Sequence, residues 1–527
     1  MRSRRRPAAV PSFLLRGARL VPVHGNPAPG TDPPGDLPMD VLVVDGRVVE
    51  VGERLARPQG VAEHDAAGRW LVPGLWDQHV HLGQWTMVSQ RLDLTGTRSV
   101  EEVLDRVTAR LAQPPDGPVI GWGHRSAAWA RQPTVRELDK VTGKRPVVLI
   151  SGDGHNAWLN TVAMRGLRLA ERDGVVSEGE WFQAYPRLVD VAGSDGTSPD
   201  AYLETLRQAA AKGVTGLVDL EFDQALSAWP EREAAGAELL RVRVGAYIDT
   251  VAEYVAAGMR TGDPLPGCGP LVTMGPLKII SDGSLNTRTA WCCAPYADGE
   301  GDPDGRPDNW PQNWPDNRGA PNLSGEGLRR LLAHARSHGL DAAVHAIGDA
   351  AVREALDAYD GTGATGTIEH AQLIGREDSR TMARLGIRAS VQPAHLLDDR
   401  DLTETFWPDR TDRCFALRWL LDDGVDVVLG SDAPVSPLDP WDAMAAAVHR
   451  SGDEREPWHP EQALTVPEAL AASTNGLGTV TVGHPADLAL LDADPLPGGT
   501  SREQAAALRS MHVAATWVGG RLAHSVL

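Results

Sequence analysis

The chain has 527 residues, of which 42% are hydrophobic and 23% charged, which is typical of a folded globular protein and excludes a disordered or collagen-like chain. The 71 acidic residues outnumber the 51 basic residues, and the formal charge of -20 disfavours binding to nucleic acid or to an anionic membrane. No run approaches the roughly 18 apolar residues that span a bilayer, and the four cysteines show no CxxC spacing. Arg16 and Arg19 interrupt the chain before an apolar signal segment can form, so we expect a cytoplasmic protein.

Both ends of the chain carry short runs that are typical of β-strands. The runs contain β-branched and apolar residues, and an Asp-Gly pair in the second of them favours a hairpin. We predict that residues 13–72 and 477–527 form one small composite β-sandwich, preceded by a disordered N-terminus of residues 1–12. The four runs are Leu14–Pro22, Val41–Val51, Ala486–Leu491 and Val513–Val518.

Between these ends, in residues 73–476, short apolar runs alternate with helical stretches. This alternation predicts an α/β fold with a parallel sheet, open or closed, and the fully apolar runs fit strands that are buried on both faces. Two irregular stretches, near 85–200 and 295–321, are predicted to be insertions, and the second is expected to be an active-site lid. The apolar runs are Val147–Ile150, Gly216–Leu220, Val242–Ile248, Leu277–Ile280, Ala342–Val344 and Val425–Leu429, and the helical stretches are Val100–Leu111, Ala201–Lys212, Gly327–His338, Ala350–Tyr359 and Pro467–Ser473.

The strongest local signal for chemistry is a pair of histidines in the run VPGLWDQHVH. Side chains alternate along a strand, so His79 and His81 project from the same face, about 6 to 7 Å apart. Two imidazoles in this arrangement can chelate one zinc ion or another transition metal ion. The alternative is a pair of ordinary histidines beside a buried strand.

Three further strand-like runs end in a side chain that can bind a metal ion. His345 and His370 each close an apolar run and precede helix or turn residues, and Asp432 follows the run VVLGS. The carboxyl ends of the strands in a closed parallel barrel meet at one rim, where active sites are built. Each of these residues taken alone is more often a capping or hydrogen-bonded group. Four strand ends with metal-binding side chains together predict one metal centre.

Lys278 lies inside an apolar run of a chain in which only four of the 51 basic residues are lysine. Because Leu277 and Ile279 flank it, we expect its amine to point inward, where burial favours the neutral form. A neutral amine can add carbon dioxide to form a carbamate, which is an anionic oxygen ligand able to bridge two cations. Two alternatives stay open: an ion pair with a buried carboxylate such as Asp282, and a cation that meets the substrate.

Eight motifs, in this order along the chain, resemble the amidohydrolase superfamily in its YtcJ-like branch, which includes N-substituted formamide deformylases. The resemblance runs from about residue 13 to the C-terminus and implies a (β/α)8 TIM barrel with a small β-sandwich assembled from both termini. The motifs are VPGLWDQHVH, LISGDGHNAWLN, LKIISDGSLNTRTA, VHAIGDAAVREALDAY, TIEHAQLI, SVQPAH, VLGSDAPV and GHPADLALLDADP. The metal ligands that it implies are His79 and His81 on the first strand, Lys278 as a carbamate on the fourth, His345 on the fifth, His370 on the sixth and Asp432 on the eighth.

We predict that the protein hydrolyses a non-peptide C–N bond of a small molecule (an amide, an N-formyl amine or an N-acyl amine) with one or two divalent ions, zinc being the expected metal. Asp432 is predicted to be the catalytic base that takes the proton of the attacking water and later delivers it to the leaving nitrogen. His155 and His395 are candidates for contact with the substrate, although either is also compatible with a structural role. Three acidic residues are expected to orient the metal ligands: Asp282, Asp349 and Glu369.

Three other functions compete with this prediction. Deamination of a heterocycle on the same scaffold usually needs a carboxylic acid near His345, where the chain offers Asp349 and no glutamate. A glycosidase barrel, suggested by 16 tryptophans, needs paired carboxylates at strand ends, and the candidate ends carry histidines instead. A scaffold that has lost catalysis predicts missing ligands, yet all six positions are filled. The substrate and the oligomeric state stay open, with a homo-oligomer as one alternative.

Overall fold

The computed structural model describes residues 11–23, 37–113, 117–124, 126, 129–151, 156–192, 197–222, 224–297 and 317–527. The chain divides into two compact units, one of residues 1–82 with 206–527 and the other of residues 83–205. Most of the predicted disordered N-terminus and most of the predicted lid lie outside the described residues. Among the helices of the described part, none combines the length and apolar character needed to cross a membrane.

Both ends of the chain contribute strands to one eight-stranded sheet of the first unit. The first strand, Phe13–Leu20, pairs in parallel with the strands Ala62–Asp65 and Trp70–Pro73. A C-terminal strand joins the same sheet by antiparallel pairing of Leu490 with Leu71. The ring of Phe13 stacks on that of Trp517 at 5.3 Å, and both are buried. Numbered in chain order, the strands are β1 (Phe13–Leu20), β2 (Met39–Val44), β3 (Arg47–Gly52), β4 (Ala62–Asp65), β5 (Trp70–Pro73), β19 (Leu488–Leu491), β20 (Val513–Val518) and β21 (Arg521–Ser525).

The first unit also contains a parallel sheet of eight strands that is nearly closed into a barrel. Across its seam, Val80 pairs with Ala433, and the Asp432 amide donates to the His79 carbonyl at 2.7 Å. The predicted (β/α)8 barrel is confirmed. Its strands are β6 (Leu75–Val80), β12 (Val214–Asp219), β13 (Arg241–Ala246), β14 (Val272–Ile280), β15 (Ala342–Ala346), β16 (Gly366–His370), β17 (Arg388–Val391) and β18 (Val427–Leu429).

Helices alternate with the barrel strands along the chain. The helix of residues Gly325–Ser337 illustrates why they form: the Ser324 side chain accepts from the Gly327 amide at its start, and Leu328, Leu332 and Ala335 form one buried face. The helices of this part are α8 (Ala228–Ala234), α9 (Val251–Ala256), α10 (Gly325–Ser337), α11 (Asp349–Thr362), α12 (Arg376–Leu385), α13 (Leu396–Phe406), α14 (Leu417–Asp422), α15 (Pro440–His449), α16 (Val466–Ala472) and α17 (Ser501–Arg509).

The second unit corresponds to the stretch near 85–200 that was predicted to be an insertion, and it has a five-stranded sheet of its own. The run Val147–Ile150 was predicted among the strands of the parallel sheet, but it lies in this separate sheet. The prediction was wrong because an apolar run indicates that a strand is buried and does not indicate which strands it pairs with. The strands are β7 (Leu92–Asp93), β8 (Val119–His124), β9 (Val147–Ser151), β10 (Asn156–Leu159) and β11 (Val176–Ser177). The helices are α1 (Leu82–Ser89), α2 (Val100–Leu111), α3 (Val135–Thr142), α4 (Thr161–Gly166), α5 (Glu178–Ala184), α6 (Leu188–Ala192) and α7 (Pro199–Ala210), the first and last of which reach the unit's borders.

Deleting the last 40 residues is expected to cause aggregation, because β19 to β21 would be lost together. The deletion removes the antiparallel partner of β5 and the Trp517 ring that covers Phe13, leaving an unpaired strand edge beside exposed apolar side chains. Size-exclusion chromatography of the truncated and full chains measures the effect. A monodisperse truncated protein with full activity would show instead that the two ends are independent.

Candidate metal centre

The predicted ligands lie at the carboxyl ends of barrel strands. His79 is the fifth residue of β6, His370 is the last residue of β16, and Asp432 follows β18 by three positions. His370 and Asp432 have left-handed backbones, with φ of 71° and 55°. This conformation costs a non-glycine residue about 1 kcal/mol or more, and such residues cluster at functional sites.

Three of the predicted ligands converge closely enough to hold one ion. His79, His370 and Asp432 each offer a ligand atom, and these atoms all lie within 4.8 Å of one another. His79 Nε2 is 3.4 Å from Asp432 Oδ1, and His81 Nε2 is 3.3 Å from the same oxygen. The structure therefore brings the two histidines of the HxH pair to one carboxylate.

His345 lies beside this group with its Nε2 atom turned elsewhere. Its ring is 4.6 Å from that of His370, between centroids, but Nε2 is 3.2 Å from the Gly283 carbonyl oxygen and 3.5 Å from Asp282 Oδ1. The structure thus brings His345 to the centre without including it in the three-residue group.

Lys278 is buried, and its amine reaches the centre directly. Its Nζ is 3.2 Å from His79 Nε2, and the described residues place no carboxylate within 4.0 Å of it. Asp282, proposed as its ion-pair partner, instead accepts the backbone N–H groups of residues 291, 347 and 348. The ion-pair alternative for Lys278 has no support among the described residues.

The electrostatics of the group suit metal ligation. Burial, assisted by the nearby Lys278 charge, lowers the pKa of His79, and burial lowers the pKa of His370 well below its usual value. Both shifts favour the neutral imidazole, which is the form that binds a metal ion. Burial opposes ionisation of Asp432, but the neighbouring histidines, His79 foremost, hold the pKa of its carboxyl well below the usual range.

Two buried carboxylates hold the first histidine in place. Glu369 Oε2 accepts from His79 Nδ1 at 2.8 Å, which leaves Nε2 of that ring as the nitrogen with a free electron pair. Asp77 Oδ1 accepts the amides of His79 at 3.1 Å and Ser431 at 2.9 Å, and so ties β6 to the loop after β18. The sequence reasoning missed Asp77, although its place two residues before His79 in the motif DQHVH was an available signal.

The remaining predicted site residues differ in their placement. His395 is mostly buried, and its Nε2 is 3.9 Å from Asp432 Oδ2. Asp349, predicted to orient a ligand, accepts from the Cys293 amide at 2.7 Å and lies 3.3 Å from Arg413. His155 lies outside the described residues.

Several buried polar atoms of this group have no hydrogen-bond partner within the described structure. Such atoms are rare in folded proteins, because each costs the free energy of desolvating it. A cation bound by nitrogen and oxygen ligands would account for the atoms of His370 and Asp432, which belong to the converging group, so the residues present fit a divalent metal ion. The atoms are His81 Nδ1, His370 Nδ1, His395 Nε2 and Asp432 Oδ1.

The fold and the site together define the class of this protein. It is a nearly closed parallel barrel with a candidate metal centre, made of histidines and an aspartate, at the carboxyl ends of its strands. Residues 62–524 match the model of the amidohydrolase family. The chain belongs to this family and is an enzyme that hydrolyses carbon–nitrogen bonds, and the resemblance found in the motifs is confirmed.

Two proteins of similar sequence and one similar solved structure align with most of this chain. The protein YtcJ of Bacillus subtilis is 26% identical, over 88% of this chain and 92% of its own. The N-substituted formamide deformylase of Arthrobacter pascens is 25% identical, over 92% of this chain and 94% of its own. The crystal structure of an uncharacterized metal-dependent hydrolase from Pyrococcus horikoshii has a TM-score of 0.69 and 25% identity, covering 92% of this chain and 98% of that one.

Proposed function

We propose that this protein is a metal-dependent hydrolase of small N-formyl or N-acyl amines. The observation that carries the proposal is the convergence of His79, His370 and Asp432 within 4.8 Å at the rim of the barrel. The similarity to a protein named as an N-substituted formamide deformylase, over 92% of this chain, supports the substrate class. The chain's acidic charge is compatible with a small-molecule substrate and disfavours nucleic acid.

The metal would be held by His79, His370 and Asp432, with His81 at the same carboxylate. Two or three imidazoles with one carboxylate form a ligand set that suits zinc. A bound divalent ion lowers the pKa of a coordinated water to about 7 and polarises a carbonyl oxygen. A carbamate on Lys278 would add an oxygen ligand, and its buried amine beside His79 supports a second ion in the active protein.

Asp432 is the group proposed to move the proton. Its lowered pKa favours the carboxylate form, which lies among three histidines with 11% of the side chain exposed, so it can accept the proton of the attacking water and deliver it to the leaving nitrogen. His395 is proposed to bind the substrate, because its Nε2 lies near Asp432 Oδ2 and has no hydrogen-bond partner among the described residues. In the tautomer with a proton on Nε2, it would donate to the substrate carbonyl.

Deamination receives less support from the geometry. Asp349 lies against Cys293 and Arg413, and Asp282, which does approach His345, is fully buried with both oxygens occupied by backbone N–H groups. A carboxyl group in that setting orients a histidine ring and has no open path to a substrate.

A screen of N-formyl and N-acyl amines against the purified, metal-loaded protein is expected to reveal release of formate or carboxylate together with an amine. Chelation should abolish the release and zinc should restore it, because the proposed chemistry depends on the ion. Asp432→Asn, which keeps the shape of the side chain without its charge, is the matched inactive control. Ammonia release from amino-heterocycles, with no product from any formyl or acyl amine, would replace the proposal with a deaminase.

A further inference from the structure

A cavity of about 440 Å³ lies inside the barrel, at the end opposite to the metal centre. Residues from seven of the eight barrel strands line it, from the first residues of β15, β16 and β17 to Gln78 and Glu369 deeper in the barrel. Layers of bulky side chains normally fill a barrel interior. Here the lining includes the small residues Gly275, Gly366, Thr367 and Ser390, and the volume is of the size that small-molecule sites have.

Arg243 on β13 is the cationic side chain of this cavity that has no acidic partner. Its guanidinium carbon lies 4.4 Å from the centroid of the Trp76 ring, and Nη1 donates to Asn475 Oδ1 at 3.3 Å. The described residues place no carboxylate within 4.0 Å of it. Burial, assisted by the charge of Arg388, lowers the pKa of Arg243 to about 10, so the side chain remains positive at neutral pH.

The acidic residues that line the cavity already have partners. Asp341 Oδ1 accepts from the Thr365 hydroxyl at 2.6 Å, and Asp426 pairs with Arg388 at 2.8 Å. Glu369, at the inner end, accepts from His79. No ion pair within the described structure therefore neutralises Arg243, and most of its five N–H groups are free to bind another acceptor.

We propose that this cavity binds a small oxyanion, a carboxylate or a phosphate, with Arg243, the lining arginine that has no carboxylate partner among the described residues, as its anchor. A planar guanidinium donates two parallel hydrogen bonds to either kind of anion, and a partly buried site screens this attraction less than water does. The Trp76 ring holds the guanidinium from one side. Arg243 is not among the candidate metal ligands, and the cavity meets the metal centre only through Glu369, which accepts from His79.

Isothermal titration of the metal-loaded protein with inorganic phosphate and, separately, with malonate tests this proposal. We expect one anion bound per chain and a rise of the melting temperature on binding. The anion that binds more tightly identifies the chemical class of the ligand, phosphate or carboxylate. Arg243→Gln should weaken binding at least tenfold. Arg384→Gln is the matched control, because Arg384 is an exposed arginine on α12 that pairs with Asp360 away from the cavity, and its loss should leave binding unchanged.

The same variants separate this site from anion binding at the metal. An anion that still binds to Arg243→Gln with the affinity of the unaltered protein would overturn the proposal, and so would failure of both anions to bind the unaltered protein at millimolar concentration. If Arg243→Gln does not fold, Arg243→Lys decides the question. Lysine keeps the charge and loses the paired hydrogen bonds, so binding at least threefold weaker supports the site and unchanged binding rejects it.

Discussion

Replacing both His79 and His81 with alanine is expected to abolish metal content and turnover while the barrel stays folded. His79 belongs to the group that converges within 4.8 Å, and His81 Nε2 is 3.3 Å from the carboxylate of that group. Residues that only orient ligands cost about 10- to 100-fold in affinity or activity when removed. Loss of two candidate ligands should therefore lower turnover by more than about 100-fold. Elemental analysis and a product assay on the same preparation measure both effects.

A second pair of neighbouring histidines offers the matched control. His334 and His338 lie one turn apart on and just after α10, with ring centroids 4.3 Å apart, and they are not in the candidate centre. Alanine at both positions should leave metal content and turnover unchanged, and the circular dichroism of all variants should match the unaltered protein. Unchanged metal stoichiometry in the His79→Ala, His81→Ala double variant would remove these residues from the ligand set.

Lys278→Ala is expected to lose both metal and activity, because we propose that Lys278 carries a carbamate in the active protein. The amine adds carbon dioxide through a new N–C bond and releases one proton, so a neutral amine becomes an anionic ligand. Burial lowers the pKa of Lys278 and so favours the neutral amine that this addition needs. A permanently charged lysine about 4 Å from a divalent ion would repel it by several kcal/mol at an effective dielectric constant of about 20.

Lys278→Arg is the informative companion variant. Arginine keeps the positive charge and cannot form a carbamate, so we expect it to be as inactive as the alanine variant. A short carboxylic acid with bicarbonate should partly restore Lys278→Ala, because the missing ligand is a carboxylate-like group. The deciding measurement is metal stoichiometry and activity after reconstitution with and without bicarbonate. One ion per chain with full activity in the absence of bicarbonate would reject the bridging carbamate.

The local sequence pattern was sufficient to predict individual secondary-structure elements and the kind of chemistry that the site supports. The Asp-Gly pair between β2 and β3 predicted a hairpin, because turn preference acts over a few residues. The HxH pair predicted two imidazoles beside one another, and their rings lie 5.5 Å apart between centroids. Strand–helix alternation, with motifs in a fixed order, predicted the barrel. Each of these inferences depends on neighbours along the chain, and the sequence by itself determines those neighbours.

Tertiary structure decided which of these groups meet and where their atoms point. His79 contacts Glu369, 290 residues away, and Oδ1 of Asp77 joins β6 to the loop after β18; no local spacing encodes these contacts. The direction of His345 Nε2 follows from side-chain torsions and from its packing against Gly283, which periodicity does not report. A hydrophobic pattern indicates which side chains are buried and does not indicate which other residues they contact. For the same reason, only the closed barrel shows that Arg243 lines a cavity without an acidic partner.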